Sequence, residues 1–221
     1  MFFYWFCYIL FYIPLKLFFP TKVIGKENLP KRKKAILSCN HRSNMDVFIV
    51  NHSLPCRTYT PAKTSLFKNK LKGAILKSWG AIPVERGAVG VSTIRTILGF
   101  LKKEQWLLIF PEGTRKDISN DEQMSLKNGT ALFALKSGAP IIPMWLMKRP
   151  RIFCRNILLI GKPFYLEQME GQKLTNEVLT AESKKISQEM QKLRDGYIKE
   201  QKEKQLAKLN KKKQTKKQKL N

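Results

Sequence analysis

Short apolar runs alternate along this chain with segments in which apolar residues recur at helical spacing. Six runs have the length and composition of buried strands: AILSCN, RTYTPAK, AIPV, WLLIF, APIIPMWL and RNILLIG. The segments predicted as helices are DVFIVNHS, SLFKNKLKGAILKSW, residues 91–101 and GTALFALKSG. This alternation predicts an α/β fold in which a mostly parallel mixed central sheet is flanked by helices.

The composition divides the chain into four parts. Residues 1–20 are a hydrophobic aromatic segment, 21–171 the main domain, 172–209 a C-terminal helix region and 210–221 a polylysine tail. At the start of the main domain, residues 21–34 are predicted to be a polar connection. The C-terminal helix is expected to begin with Thr180 as its N-cap. The tail is expected to be disordered, and either to bind an anionic membrane surface or only to keep the chain soluble.

The N-terminal segment, MFFYWFCYILFYIPLKLFF, contains ten of the chain's aromatic residues. Crossing the hydrocarbon core takes about 20 apolar residues, and Pro14 and Lys16 interrupt the run before that length is reached. Because Trp and Tyr prefer the headgroup region, we expect this segment to lie in or dip into the membrane interface. The alternative is a first helix that packs on the domain. The first interpretation places the protein at the cytoplasmic face of the cell membrane.

The chain is strongly basic, with 42 Lys and Arg against 16 Asp and Glu. Residues 1–171 alone have 27 basic and 10 acidic side chains, so the charge belongs to the domain as well as to the tail. The partners are therefore expected to be acidic. A nucleic-acid partner is not expected, because the aromatics crowd the N-terminus instead of alternating with the basic residues.

The four cysteines form no C-x-x-C pair and have no metal-ligand spacing. We therefore expect no structural zinc and no other bound metal. Cys39 and Cys154 are expected to be small core residues.

The first predicted strand is followed by NHRSNMD, which places Asp46 five residues after His41. A regular helix would hold these two side chains apart, whereas a strand-to-helix turn lets them meet. In that case Asp46 accepts the Nδ1 proton and leaves Nε2 of His41 free to act as a base. The alternative is that Asp46 caps the helix and His41 is only a polar neighbour.

Two further strand ends deliver polar residues to the same predicted edge. Arg86 and a glycine follow AIPV, and the sequence PEGTRK follows WLLIF. In the latter, Gly113 lets a ligand approach the backbone, while Thr114 and Arg115 offer a hydroxyl and a guanidinium suited to phosphate. Glu112 is expected to pair with an arginine or to hold a substrate hydroxyl. Since ligands bind beyond the carboxyl ends of parallel strands, these ends predict one site.

Four blocks of this sequence, NHRSNMD, GAIPVERG, FPEGTRK and PIIPM, resemble in order and spacing the signature motifs of the glycerolipid acyltransferases. The similarity is closest to the lysophosphatidic acid acyltransferase family and covers about residues 21–165. It implies transfer of a fatty acyl group from coenzyme A or acyl carrier protein to the sn-2 hydroxyl of lysophosphatidic acid, giving phosphatidic acid. No further cofactor is expected.

The resemblance also assigns roles to residues. His41 is implied to be the general base, Asp46 its orienting partner, and Pro143 a member of the fourth block near the acyl donor. The implied acceptor phosphate site consists of Arg86, Glu112, Gly113, Thr114 and Arg115. Two alternatives stay open: acylation of glycerol-3-phosphate or of another lysophospholipid, and a basic membrane- or nucleic-acid-binding module without catalysis.

Overall fold

The structure, a computed structural model, describes residues 10, 13–31, 33–85, 90–113, 126–167 and 173–218. Its core is a seven-stranded sheet in the order β1-β7-β6-β2-β5-β3-β4. The strands are β1 (Thr21–Ile24), β2 (Ala35–Cys39), β3 (Thr58–Lys63), β4 (Ala81–Val84), β5 (Trp106–Ile109), β6 (Ile141–Leu146) and β7 (Asn156–Ile160). All neighbouring pairs are parallel except β6 and β7. The predicted α/β fold with a mostly parallel mixed sheet is confirmed.

Apart from the helical residues 13–18, the described part of the chain forms five α-helices: α1 (Asp46–Ser53), α2 (Lys70–Ser78), α3 (Val91–Lys102), α4 (Gly129–Ser137) and α5 (Asn176–Gln218). Short 3₁₀ turns occupy Lys26–Asn28 and Thr64–Phe67. Asn69 starts α2, because its side-chain oxygen accepts a hydrogen bond from Lys72 N at 2.9 Å. Gly138 ends α4 in the left-handed conformation at φ 60°, as its position in the sequence predicted.

The helices cover the two faces of the sheet. One face packs against α3, α4 and α5 through residues such as Ile97, Phe133 and Ile186. The other packs against α1 through Ile49 and Val50. Alternate residues of β2, β5 and β6 point to opposite faces, and they are buried on both. Continuous apolar runs are what a doubly covered parallel strand requires.

Three boundaries differ from the sequence prediction. The helix expected over SLFKNKLKGAILKSW is divided into a 3₁₀ turn at Thr64–Phe67 and helix α2, which starts at Lys70 after the extended residue Asn69. Residues 21–34 were expected to be a polar connection, but Thr21–Ile24 form edge strand β1, parallel to β7. An edge strand has a neighbouring strand on one side only, so its polar residues can stay partly exposed. The sequence of β1 therefore lacks the apolar run by which the other strands were predicted. Helix α5 begins at Asn176, four residues before the expected cap, and extends through 210–218, where disorder was expected. From residue 197 on no Gly or Pro interrupts it, and lysine is a good helix former.

The strand directions define one edge of the sheet, which we call the carboxyl edge. Strands β2 to β6 end there, whereas β1 and β7 run the opposite way and begin there. Of the N-terminal segment the structure describes residue 10 and residues 13–20, and residues 13–18 are helical just before β1. Within the described part of the chain, no helix is both long and apolar enough to cross a bilayer.

Candidate active site

The turn from β2 into α1 brings the first two predicted residues together. His41 Nδ1 lies 3.0 Å from Asp46 Oδ2. The turn between them consists of only four residues, and Asp46 is the first residue of α1. The predicted geometry of the pair is therefore present.

The Asp46 carboxylate is fully buried and braces this turn. Its Oδ2 also accepts hydrogen bonds from the backbone N–H groups of Arg42 and Ser43, each at 2.6 Å. Helix α1 itself has no side-chain cap. Asp46 thus orients the imidazole and the preceding turn instead of capping the helix. With Nδ1 donating to a carboxylate, the second ring nitrogen of His41 is the one left for chemistry.

Asn40 fixes the base of the turn, and sequence reasoning missed it. Its side chain donates to Leu146 O at 3.1 Å and accepts from Leu146 N at 2.7 Å. The side-chain amide of Asn40 thereby extends the hydrogen bonding between β2 and β6 beyond Cys39, the last residue of β2. An Asn directly after a buried strand and directly before a candidate base is the signal that would have suggested this role.

The neighbouring strand β5 supplies the other walls of the site. The Phe110 ring lies against the His41 ring with centroids 4.4 Å apart. Glu112 is buried and its Oε1 accepts the backbone N–H of His41 at 3.0 Å. The His41 side chain is 18% exposed, so the imidazole is enclosed but reachable. Two of the predicted strand ends therefore meet at the carboxyl edge.

Gly113 follows in the left-handed conformation at φ 66°. A Cβ at this position would come within 2.6 Å of Cε of Lys127. Lys127 also donates its backbone N–H to Pro111 O at 2.8 Å, which holds it beside the turn. A basic side chain that the sequence prediction did not include thus lies on the predicted acceptor side of the site.

The remaining predicted residues divide into two groups. Arg86, Thr114 and Arg115 fall outside the described residues, so their roles stay predictions. Pro143 lies within β6, where it is buried and paired with Ser38 of β2. Its carbonyl accepts from Gly161 N at 2.8 Å. Pro143 is thus part of the sheet, three residues before the end of its strand, and its predicted place near the acyl donor stays a prediction.

The described cysteines are poor candidates for a nucleophile at this site. Cys39 is buried at the end of β2, and its burial, followed by the charges of Asp46 and Glu112, holds the pKa of the thiol well above its usual range. Burial also raises the pKa of Cys56 to about 11. Cys154 was expected in the core but is exposed, since it lies in the loop between β6 and β7. Among the described residues no cluster of three His, Cys, Asp or Glu side chains is placed to bind a metal.

Comparison with known proteins identifies the family. The family model described as Acyltransferase matches residues 20–147, which include every element of the site described above. The chain belongs to the acyltransferase family. The match begins just before β1 and ends just after β6, so the family region contains every strand from β1 to β6, and β7 follows it.

Individual members of the acyltransferase family agree with this assignment. The chain is 37% identical over 124 residues to a 1-acyl-sn-glycerol-3-phosphate acyltransferase of Bacillus subtilis, which covers 56% of this chain and 60% of that protein. It is 30% identical over 138 residues to the enzyme of the same name from Borreliella burgdorferi, covering 62% and 54%. The matched region thus spans little more than half the length of these curated relatives.

A solved structure matches most of the fold. The crystal structure of a 1-acyl-sn-glycerophosphate acyltransferase from Thermotoga maritima superposes with a TM-score of 0.63 and covers 90% of this chain and 78% of its own. The sequence identity is 23%, so this likeness supports the fold.

Proposed function

We propose that this protein transfers a fatty acyl group from acyl-coenzyme A or acyl carrier protein to the sn-2 hydroxyl of lysophosphatidic acid, forming phosphatidic acid. The observation that carries the proposal is the 3.0 Å contact between His41 Nδ1 and Asp46 Oδ2 at the carboxyl edge. It is supported by membership of the acyltransferase family and by relatives named for this reaction.

In the proposed reaction His41 is the general base. Its Nε2 takes the proton of the acceptor hydroxyl while the hydroxyl oxygen attacks the thioester carbon, and Asp46 stabilises the imidazolium that forms. The tetrahedral intermediate then breaks its C–S bond, and the leaving thiolate takes the proton back from Nε2. An oxygen ester replaces the thioester without an acyl-enzyme. General-base assistance of this kind contributes about 10²- to 10⁴-fold.

The acceptor's phosphate is assigned to the basic residues after β4 and β5. Arg86, Thr114 and Arg115 are the proposed phosphate ligands, with Gly113 allowing close approach of the headgroup. Lys127, whose side chain lies against Gly113, adds a positive charge on this side. Glu112 contributes by accepting the backbone N–H of His41, which holds the turn that bears the base.

Both substrates are amphiphiles, so the reaction is proposed to take place at a membrane surface. The aromatic N-terminal segment is the proposed interfacial anchor, at the cytoplasmic face. Holding acceptor and donor in register at this surface would supply most of the remaining rate acceleration.

The test offers lysophosphatidic acid with acyl-coenzyme A and with acyl carrier protein in parallel, and resolves the products by mass. Glycerol-3-phosphate and lysophosphatidylcholine replace lysophosphatidic acid in matched reactions. We expect phosphatidic acid as the main product with at least one of the two donors. Faster acylation of another acceptor would overturn the substrate assignment, and no ester with any acceptor would overturn the activity. Retention of RNA at high salt in the latter case would favour the basic binding module.

A further inference from the structure

Exposed apolar side chains are concentrated at one edge of the sheet. The described residues with large exposed hydrophobic side chains are Leu10, Ile13, Leu17, Phe18, Leu66, Leu71, Val91, Ile152, Phe153, Tyr165, Leu206 and Leu209. All of them except the last three lie on segments that border the carboxyl edge. The N-terminal residues precede β1, which begins there, and Ile152 and Phe153 lie between β6 and β7. Leu66 and Leu71 follow the end of β3, and Val91 starts the helix after β4.

These side chains lie on both sides of the candidate active site. In the sheet order, β1, β7 and β6 are on one side of the β2–β5 pair that bears His41 and Glu112, and β3 and β4 are on the other. The apolar residues therefore lie on both sides of the site along one edge of the sheet. Single exposed apolar residues scattered over a surface would need no explanation, but a concentration at one edge does.

The loop between β6 and β7, residues 147–155, has the composition of a membrane-binding element. Ile152 and Phe153 are 60% and 69% exposed. They are surrounded by exposed cations at Lys148, Arg149, Arg151 and Arg155. No Asp or Glu occurs anywhere between positions 122 and 167 of the sequence. Exposed apolar side chains that are flanked by cations are complementary to an anionic bilayer, because its interior is apolar and its headgroups are negatively charged.

Contacts connect this loop to the helical residues 13–18 on one side and to the candidate active site on the other. Phe153 N donates to Phe18 O at 2.7 Å, and the two rings lie 5.3 Å apart. At the beginning of the loop, Arg42 Nη1 donates to Met147 O at 3.3 Å. Arg42 follows His41 directly, so this hydrogen bond connects the beginning of the loop to the turn that bears His41, the catalytic turn of the proposed function.

We propose that the loop of residues 147–155 is a second bilayer-docking element, which binds anionic phospholipid together with the N-terminal segment and turns the candidate active site toward the membrane. The proposal rests on this surface and does not depend on which lipid is the acceptor. A rival partner for the cations is an acidic carrier protein. The bilayer is favoured because Phe153 of the loop contacts Phe18 of the aromatic N-terminal segment, and because the exposed side chains of Ile152 and Phe153, which lie among the cations, are apolar.

The first experiment measures binding of the full-length protein to vesicles of phosphatidylcholine with and without 30% phosphatidylglycerol by co-sedimentation. We expect Ile152→Ser/Phe153→Ser to lower the partition coefficient at least about tenfold on vesicles of either composition. Arg151→Gln/Arg155→Gln should lower it about tenfold on anionic vesicles only, with the difference disappearing at high salt. The matched control is Tyr165→Ser, which removes a side chain of similar exposure, 66%, at the opposite edge of the sheet. This variant should bind vesicles as the parent does.

The second experiment reports contact directly. An environment-sensitive fluorophore on Cys154, in a Cys7→Ser/Cys56→Ser background, should shift to shorter wavelength when anionic vesicles are added. The same fluorophore on Tyr165→Cys, with Cys154→Ser added, should not shift. Equal shifts at both positions, or unchanged binding of both loop variants, would overturn the proposal.

Two further readouts separate the possible failures. A short-chain, water-soluble lysophosphatidic acid should be acylated by the Ile152→Ser/Phe153→Ser variant at the parent rate, because the loop is outside the catalytic turn. If vesicle binding is unchanged while this activity is present, the docking surface is wrong and the proposed function stands. If the loop variants instead raise KM for acyl carrier protein and leave vesicle binding alone, the loop binds the carrier protein and the docking proposal falls.

Discussion

The two edges of the sheet are built from the same strands and use their side chains differently. At the carboxyl edge, buried Glu112 accepts the backbone N–H of His41, and buried Asn40 pairs with the backbone N–H and C=O of Leu146. At the opposite edge, exposed Glu104 accepts the N–H of Lys34 at 2.8 Å, and Asn28 donates one bond to Ile160 O at 2.9 Å. The side chains that make these bonds are thus buried at the carboxyl edge, whereas at the opposite edge Glu104 is exposed and Asn28 is only partly buried. Only buried bonds fix an ionisable group such as His41 in one geometry, because water cannot replace a lost partner there.

Among changes to the residues that hold His41 in place, the largest expected effect is that of Asp46→Asn. The amide still fits the turn but no longer stabilises the imidazolium of His41, and its NH₂ group competes for the position now occupied by Oδ2. We expect kcat for acyl transfer to fall about 10²- to 10⁴-fold. Steady-state kinetics measures this, and a circular-dichroism melt checks that the variant is folded. A folded variant with parent kcat would remove Asp46 from the proposed mechanism.

Asn40 and Asn28 form a matched pair for stability. Asn40→Ala leaves the N–H and C=O of Leu146 buried without partners and should lower the free energy of unfolding by about 3 kcal/mol. Asn28→Ala loses one bond in a partly exposed position and should cost about 1 kcal/mol or less. Denaturant unfolding of both variants gives the comparison. Equal losses would mean that the two edges do not differ in the way described.

Glu112 and Glu104 allow the same comparison of the two sheet edges with carboxylate side chains in place of amides. Glu112→Ala should cost about 1–3 kcal/mol of unfolding free energy, since the N–H of His41 loses its acceptor inside the protein. Glu112→Gln keeps an acceptor oxygen and should recover part of that loss. Glu104→Ala should cost only a few tenths of a kcal/mol, because water replaces the carboxylate at an exposed N–H. A loss for Glu104→Ala as large as that for Glu112→Ala would contradict this difference.

The smallest effect is expected at the distal end of α5. Residues 199–211 of this helix are exposed, whereas Ile186 and Met190 are completely buried against the sheet. Ending the chain after Ile198 should therefore change the free energy of unfolding by less than about 0.5 kcal/mol. The melting temperature and the rate with a water-soluble acceptor are the measurements. A large drop in either would show that the exposed helix supports the domain.

The sequence predicted most of the sheet because β2, β5 and β6 are buried on both faces and leave continuous apolar runs. It missed β1, whose Thr21 and Lys22 are tolerated only because the strand lies at the sheet edge. The sequence prediction also placed Cys154 in the core. The loop that contains this residue has no regular spacing of apolar residues from which its exposure could have been predicted. Those errors concern positions where tertiary surroundings, and not local pattern, decide burial.

For the site, the spacing of His41 and Asp46 allowed their contact across a strand-to-helix turn but left open the alternative that Asp46 caps the helix. The structure decides between the two, because the side chains are 3.0 Å apart and the helix has no side-chain cap. Glu112 and Gly113 followed from the rule that parallel strands end at one edge. Asn40 and Lys127 did not, because their contacts, with Leu146 and Gly113, depend on the register of β2 with β6 and on the path of the chain into α4. Register is a property of paired strands and cannot be read from one strand alone.

The most direct test of the central claim compares the two histidines of the chain. His52 lies in α1, two turns after the candidate site, and its Nδ1 is 3.1 Å from Phe48 O. We expect His41→Ala to abolish phosphatidic acid formation from lysophosphatidic acid and acyl thioester while vesicle binding is unchanged, and His52→Ala to retain most of the parent rate. Turnover by a folded His41→Ala variant at the parent rate would contradict the account.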